Sequence, residues 1–512
     1  MSAIQRLAGV FLFLGFAWQP LIGADPPKEK EAKEPEVVSY YRDIRPILQQ
    51  NCQGCHQPAK SQGGYVMTSH ADLLKMGDKM QPNVIPGKPD ESYLINQITP
   101  HGDKKPAMPK GTAPLVERDV NVVKKWIAQG AKDDTPASAK VLVDSEHPPT
   151  YDLLPVIASL AYSPDSKLLA VAGFHEVLLH NADGSGLVAR LVGLSERVQS
   201  LAFSPDGKLL AVAGGCPCRF GEVQVWDVEK RKLKLSIPVT FDTVYGVSWS
   251  PDGSKIAFGC ADNTLRAIEA STGKQILYQG AHNDWVLETV FSTNASHLIS
   301  VSRDRSLKLT EVATQRFIDN ISSITPGALK GGLMTVDRHP KKDELLIGGA
   351  DGTPKVYQMY REKKRVIGDD FNFIGAFAEM PGRIFSARYS PDGSRIVVGS
   401  SLDGVGEARV YQSITKPDYK MIGMSGLALP ATRGMSILLL LPSLKEKPGH
   451  LICKLEGEHG PVYTVAYRPD GKQVAAAGFD GKVRLNDPDT GKLLKEFIPV
   501  PLAKTTQVTA GK

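Results

Sequence analysis

From residue 151 onward, short apolar runs alternate with polar turns in a pattern that repeats. "LAYSPDSKLLAVAG" at 160, "LAFSPDGKLLAVAG" at 201, "VSWSPDGSKIAFGC" at 247, "ARYSPDGSRIVVGS" at 387 and "VAYRPDGKQVAAAG" at 465 are copies of one unit. Two degenerate copies, "TVFSTNASHLISVS" at 289 and "TVDRHPKKDELLIGGA" at 335, fill the gap between them. Marked at Ser163, Ser204, Ser250, Ser292, His339, Ser390 and Arg468, the copies are spaced by 41, 46, 42, 47, 51 and 78 residues. Each reads as a strand, a Pro-Asp-Gly turn, a strand, an Asp-Gly-type turn, then a strand such as "EVQVWDV" at 222. Four short strands in each period of about 40 to 45 residues make propeller blades, and seven copies predict seven blades over 151–502. The spacing of 78 marks an insertion at about 413–449. Its "ILLLLP" is too short to span a bilayer and reads as a loop packed over a blade.

Before residue 135 the period changes. "YYRDIRPILQQNCQGCH", from Tyr40, places Ile44, Ile47 and Leu48 on one face of a helix. "LVERDVNVVKKWIAQGAK" carries apolar residues at 115, 116, 120, 122, 123, 126 and 127, with Gly130 as a stop. These two helices frame a small all-α domain over 40–134, and 135–150 reads as a linker. Residues 25–39 are a charged tether, and 503–512 a tail.

The first 24 residues have a positive Arg6, an apolar stretch to about Ile22 and small residues at Gly23-Ala24. That is the form of a secretory signal peptide, so the chain is expected to be exported to the periplasm, cell envelope or exterior. Asp25 stands where a lipidated cysteine would be required, so no lipid anchor is expected. The net charge of +6 is modest for 512 residues and forms no basic stripe with interleaved aromatics, which argues against nucleic acid.

Cys52, Cys55 and His56 lie within "NCQGCHQPAK" at 51. Cys-x-x-Cys serves as a redox disulfide, as half of a zinc site or as a thioether attachment for haem. A histidine directly after the second cysteine favours haem. Each thiol bonds one vinyl group, and the adjacent imidazole reaches the iron. Export agrees, because c-type cytochromes mature outside the cytoplasm. The rivals are a structural disulfide and a zinc site, which would need a fourth clustered ligand. A low-spin iron has a sixth position, and methionine is the usual partner for electron transfer. Among Met67, Met76, Met80 and Met108, Met108 in "KKPAMPKG" is favoured, because Pro106 and Pro109 stiffen an extended loop. Met76 and Met80, at i and i+4, read as the core face of a helix. His70 and His101 are the rival ligands.

His282, Ser300 and Asp304 have the composition of a hydrolytic triad; the repeats resemble the WD-repeat family, and that resemblance implies instead a hydrogen-bonded blade network, with Thr310 at the position usual for tryptophan. Cys216 and Cys218 lie in a turn, "GGCPCRFGE". Cys260 and Cys453 lie on apolar strands and read as buried thiols. No catalytic residue is assigned.

Two resemblances extend this reading. "DIRPILQQNCQGCH", "GGYVM", "IPGKPDESYLINQI", "PAMPKG" and "VVKKWIAQGA", in this order over 40–134, resemble the planctomycete-type cytochrome c domain. The resemblance implies one covalent haem c on Cys52 and Cys55, with His56 proximal and Met108 distal. Lys110 departs from the family's Met-Pro-Pro element. The repeats resemble the WD-repeat family. Trp226-Asp227 keeps the dipeptide, "VRLNDPDTG" at 483 has lost it, and Gly-His elements survive in part as Ala281-His282 and Glu458-His459. The expectation is therefore a multidomain chain, a small all-α cytochrome c-like domain followed by an all-β seven-bladed WD-repeat propeller. Its expected function is electron transfer with an unidentified redox partner protein, the propeller offering a face to a protein ligand. The alternative is a haem-dependent oxidoreductase, a peroxidase or reductase, acting at the haem or on the propeller face.

Overall fold

The structure is a computed structural model that describes residues 37–58, 60–102, 104–111, 113–136, 143–323, 329–366, 368–414, 449–457 and 460–503. The expected signal peptide, most of the tether, most of the 413–449 insertion, most of the tail and Glu458-His459 lie outside these residues.

The N-terminal domain is built from short helices. Ser39 caps a wide helical turn, Tyr40–Ile44: its hydroxyl accepts from Arg42 N at 3.0 Å, while the Asp43 carboxylate accepts from Ser39 N at 2.8 Å. Helix α1 follows, Arg45–Asn51. Ile44 and Leu48 are fully buried on one face, as the spacing predicts, and Ile47 packs beside them. Helices α2 (His70–Leu73), α3 (Tyr93–Ile98) and α4 (Glu117–Ala128) complete the set. Helix α4 buries Val120, Val122, Val123, Trp126 and Ile127, and Gly130 ends it with φ +95°. Tyr40 and Trp126 pack with ring centroids 5.6 Å apart. The fully buried side chains among these contribute about 1.5–3 kcal/mol each.

The all-α expectation needs correction in detail. His56–Gln57 (β1) pairs antiparallel with Lys60–Ser61 (β2), and isolated bridges join Met76 to Pro82 and His101 to Lys104. Glycines and prolines spread through 54–111 interrupt helical hydrogen bonding, so turns and extended pieces link helices of only one or two turns.

In the second part, β3 (Leu160–Tyr162), β4 (Leu168–Ala172), β5 (Phe174–Asn181), β6 (Leu187–Phe203), β7 (Leu209–Cys216), β8 (Phe220–Asp227) and β9 (Lys232–Thr240) form one antiparallel sheet in chain order. The first part of β6 pairs with β5 and its end pairs with β7, so this one strand belongs to two four-stranded units. Five further four-stranded sheets span 244–279, 286–320, 333–376, 383–454 and 462–497. The described residues thus contain seven four-stranded units. Their first strands touch in succession: β3, β6, Val244–Trp249, Val286–Phe291, Leu333–Arg338, Arg383–Tyr389 and Val462–Tyr467, which returns to β3. Tyr151 and Leu502 pair in parallel beside that closure. This is the arrangement of a WD propeller. The repeated Ser-Pro-Asp has a local cause. Ser163 Oγ donates to Asp165 at 2.6 Å and accepts from Leu168 N at 2.9 Å, and Ser204 and Ser390 repeat the motif.

The two parts meet at β9, the outer strand of the second unit. Helix α1 and β2 pack against it. Gln50 Nε2 donates to Thr240 O at 3.3 Å, and Lys60 Nζ donates to Lys234 O at 2.8 Å. Gly54 approaches closest: a Cβ there would lie 2.4 Å from Ser236 O and 3.1 Å from Pro238 Cδ. Gly54→Val is therefore expected to lift the 52–56 turn from β9. Small-angle scattering should show a larger radius of gyration, and limited proteolysis should separate the two parts faster. Scattering and cleavage identical to those of the unaltered protein would show that the contact does not hold the parts together.

Candidate functional site

Helix α1 delivers Cys52 at its C-terminal end. The Leu48 carbonyl accepts from Cys52 N and from Gln53 N, both at 2.9 Å. The chain then turns tightly: Cys55 N and His56 N donate to Cys52 O at 3.1 and 3.0 Å. His56 thus starts β1 rather than continuing the helix. Buried bonds fix this turn from behind. Gln53 Nε2 donates to Met67 O at 2.8 Å, Met67 N donates to His56 O at 2.8 Å, and Gln57 Nε2 donates to Gln53 O at 2.9 Å.

Both cysteines are free thiols, and Cys52 packs on the domain's apolar core. Burial, with Cys55 beside it, pushes the Cys52 thiol up to about 12, so it remains protonated. His56 is only 9 % exposed, and its Nδ1 is buried without a hydrogen-bond partner. Burial lowers its pKa, which keeps the imidazole neutral, the form that binds a metal. The Tyr65 ring lies 6.4 Å from His56 and stacks on Tyr93 at 5.6 Å. Met108 is half-buried on the same core as Cys52, its loop tied to α3 by Met108 N donating to Gln97 O at 2.9 Å.

The rival ligands are used otherwise. His70 Nε2 bonds Ala131 O at 2.7 Å, and its ring packs edge-on to Tyr40 and Trp126. His101 is exposed and bonds Asn96 O. The helix expected to carry Met76 and Met80 stops at Leu73, and the two side chains are 53 and 75 % exposed. Gly77 fits where any Cβ would strike Gly63 O and Tyr65, so the backbone follows the turn rather than a helix. Met67 is buried. Sequence spacing did not single out Gln53, Gln57 or Tyr65, because their role is to satisfy and cover a turn whose shape appears only on folding.

The donor set of two free thiols, a neutral buried imidazole with an unsatisfied nitrogen and a nearby thioether fits haem c. Among the described residues no three His, Cys, Asp or Glu side chains cluster to hold a metal ion, so the partners a zinc site would need are not gathered there.

The other constellations resolve as structure. His282 Nδ1 bonds Asp304 at 3.0 Å and Nε2 bonds Ser300 Oγ at 2.8 Å, with Ser300 wholly buried between strands. Cys216 is buried and Cys218 exposed, both as free thiols, with Arg219 donating to the Cys216 sulfur at 3.4 Å. Cys260 is fully buried, whereas Cys453 is only partly so. The central channel encloses about 640 Å3 between residues including Phe174, Tyr245, Phe385 and Tyr463. The Glu288–Arg388 pair, 2.5 Å apart, crosses it, and burial raises the pKa of Asp337 nearby.

Comparison with known families agrees with this division. Residues 52–111 match the family described as Planctomycete cytochrome C, and 186–227, 233–268 and 449–487 match the WD domain, G-beta repeat. The chain joins a planctomycete-type cytochrome c domain, which implies haem binding, to WD repeats, which suggest protein–protein interaction. It is similar to the angio-associated migratory cell protein of Canis lupus familiaris, at 24 % identity over 53 % of this chain and 51 % of that one. It is also similar to a ribosome biogenesis protein WDR12 homolog of Chlamydomonas reinhardtii, at 27 % over 26 % and 33 %. The WD repeat and SOCS box-containing protein 1 of Mus musculus matches at 31 % over 17 % and 22 %. The chain spans about half or less of the length of these relatives.

The burial pattern separates the methionines. Met67→Ala is expected to destabilise the cytochrome domain by about 2–5 kcal/mol. Met76→Ala and Met80→Ala should stay within about 0.5 kcal/mol of the unaltered protein in denaturant unfolding followed by tryptophan fluorescence.

Proposed function

We propose that the protein is an exported, single-haem c-type cytochrome for electron transfer, with a seven-bladed WD propeller as its protein-interaction platform. The observation that carries this reading is the 52–56 turn. Two free thiols and a neutral imidazole whose Nδ1 has no protein partner lie on one turn held by buried hydrogen bonds. When bound, haem supplies a one-electron ferric/ferrous couple.

The chain's own residues do the rest. Cys52 and Cys55 would hold the haem through thioether links, sulfur and hydrogen of each thiol taking the two carbons of one vinyl group. His56, through a neutral imidazole nitrogen, and Met108, through a soft thioether that favours the ferrous state, would hold the iron. The Tyr65–Tyr93 stack and the apolar core exclude water from the same side of the domain. The propeller offers its loop face and channel mouth to a redox partner protein. Export rests on the N-terminal sequence.

Cys52→Ser combined with Cys55→Ser should abolish haem staining on a denaturing gel, and the mass of the unaltered, matured protein should show one haem. A mass of polypeptide alone, or of two haems, overturns the proposal. Met108→Ala should eliminate the far-red charge-transfer band of the ferric protein, lower its potential and open the iron to carbon monoxide. Rapid carbon monoxide binding by the unaltered protein would replace the carrier with a peroxidase or reductase.

A further inference from the structure

Three propeller units carry a glutamate at the same place on their third strand. Glu176 lies on β5, Glu222 on β8 and Glu407 on Val405–Gln412. In each unit, the residue two positions beyond the glutamate pairs across the sheet with the outer strand. Leu178 faces Arg190, Gln224 faces Ser236, and Arg409 faces Lys454. Arg190 pairs with Glu176 at 2.6 Å, and Lys454 pairs with Glu407 at 2.6 Å. In the second unit the cation is replaced by Ser236, a small neutral residue.

That replacement falls where the cytochrome domain docks. Ser236 O is the atom that leaves no room for a Cβ on Gly54, between the two haem-attachment cysteines. Glu222 lies directly behind it, 2 % exposed. The carboxylate accepts from Ser195 Oγ and Gln224 Nε2, both at 2.7 Å, and from the Ser236 hydroxyl. Three donors on two oxygens fit an ionised carboxylate, which accepts only. Among the described residues no cation pairs with it, unlike Glu176 and Glu407.

We infer that Glu222, a propeller residue, is an electrostatic component of the haem site that stabilises the oxidised state. The inference rests on the proposed haem attachment at Cys52 and Cys55. A long cation at 236 would lie against Glu222 and neutralise the carboxylate, as Arg190 does at Glu176; serine leaves the charge in place. A buried charge without a counter-ion acts through a medium of low dielectric constant, so its effect reaches across one strand. A negative charge there favours ferric over ferrous iron and lowers the potential. The propeller is thereby part of the redox centre as well as a platform.

The test is a potential titration of the haem-loaded full chain, followed by its visible spectrum. Glu222→Gln keeps the hydrogen-bonding shape and removes the charge. It is expected to raise the midpoint, with the ferric-to-ferrous ratio at a fixed poise falling about tenfold, equivalent to about 59 mV for one electron. Glu407→Gln, at the matching place in a unit that does not contain β9, should leave the midpoint unchanged. An unchanged midpoint in Glu222→Gln, or an equal shift in both variants, overturns the assignment. If Glu222→Gln does not fold, Ser236→Ala takes its place. It removes one donor and leaves the charge less neutralised, so the midpoint should fall; no fall overturns the assignment. Unaltered protein without covalent haem refutes the proposed attachment itself, a result distinct from a haem-loaded protein of unchanged potential.

Discussion

The approach of the 52–56 turn to the edge of β9 is the constraint on which the relation of the two parts depends. An outer propeller strand exposes a row of backbone groups, and β9 has a paired strand on only one side. Pro238 removes one donor from that edge, and the cytochrome domain covers the rest. The contact is backbone against backbone, so it requires a residue without a side chain at 54. The same glycine lies between Cys52 and Cys55, in the turn that carries both thiols and His56. Domain docking therefore bears directly on the turn that holds the proposed haem-attachment residues.

The buried histidines of the described residues differ in how their ring nitrogens are used. The buried histidines of the propeller have both ring nitrogens or a carbonyl partner accounted for: His282 bonds Asp304 and Ser300, and His180 bonds Pro499 O. His70 in the cytochrome domain bonds Ala131 O. His56 differs at Nδ1. An unsatisfied buried polar atom is costly, and at His56 it falls on the histidine that follows Cys-x-x-Cys. Glu222 differs in another way: it accepts three hydrogen bonds and, among the described residues, pairs with no cation, where its counterparts in two other units do. The two residues lie on either side of the same junction.

Much of this was legible in the chain itself. The Ser-Pro-Asp-Gly repeats determine their turns locally, through a serine and an aspartate that bond within five residues, so unit count and strand order follow from spacing. The face made by Ile44 and Leu48, the buried stripe of α4 and its stop at Gly130 follow from helical periodicity and glycine's access to positive φ. Cys52, Cys55 and His56 are neighbours in sequence, so their proximity needed no fold. The helix expected at Met76 and Met80 did not follow. Gly77 meets Gly63 O and Tyr65, a contact between residues distant in sequence, and this decides against a helix that spacing alone would allow. Only tertiary structure decided that Met108 shares a core with Cys52, that His70 is spent on Ala131, and that β9 faces Gly54. These depend on which surfaces meet after each element has formed, and such meetings leave no period in the sequence. Periodicity records how a segment buries itself; it carries no record of which backbone edge will lie within a van der Waals radius of it.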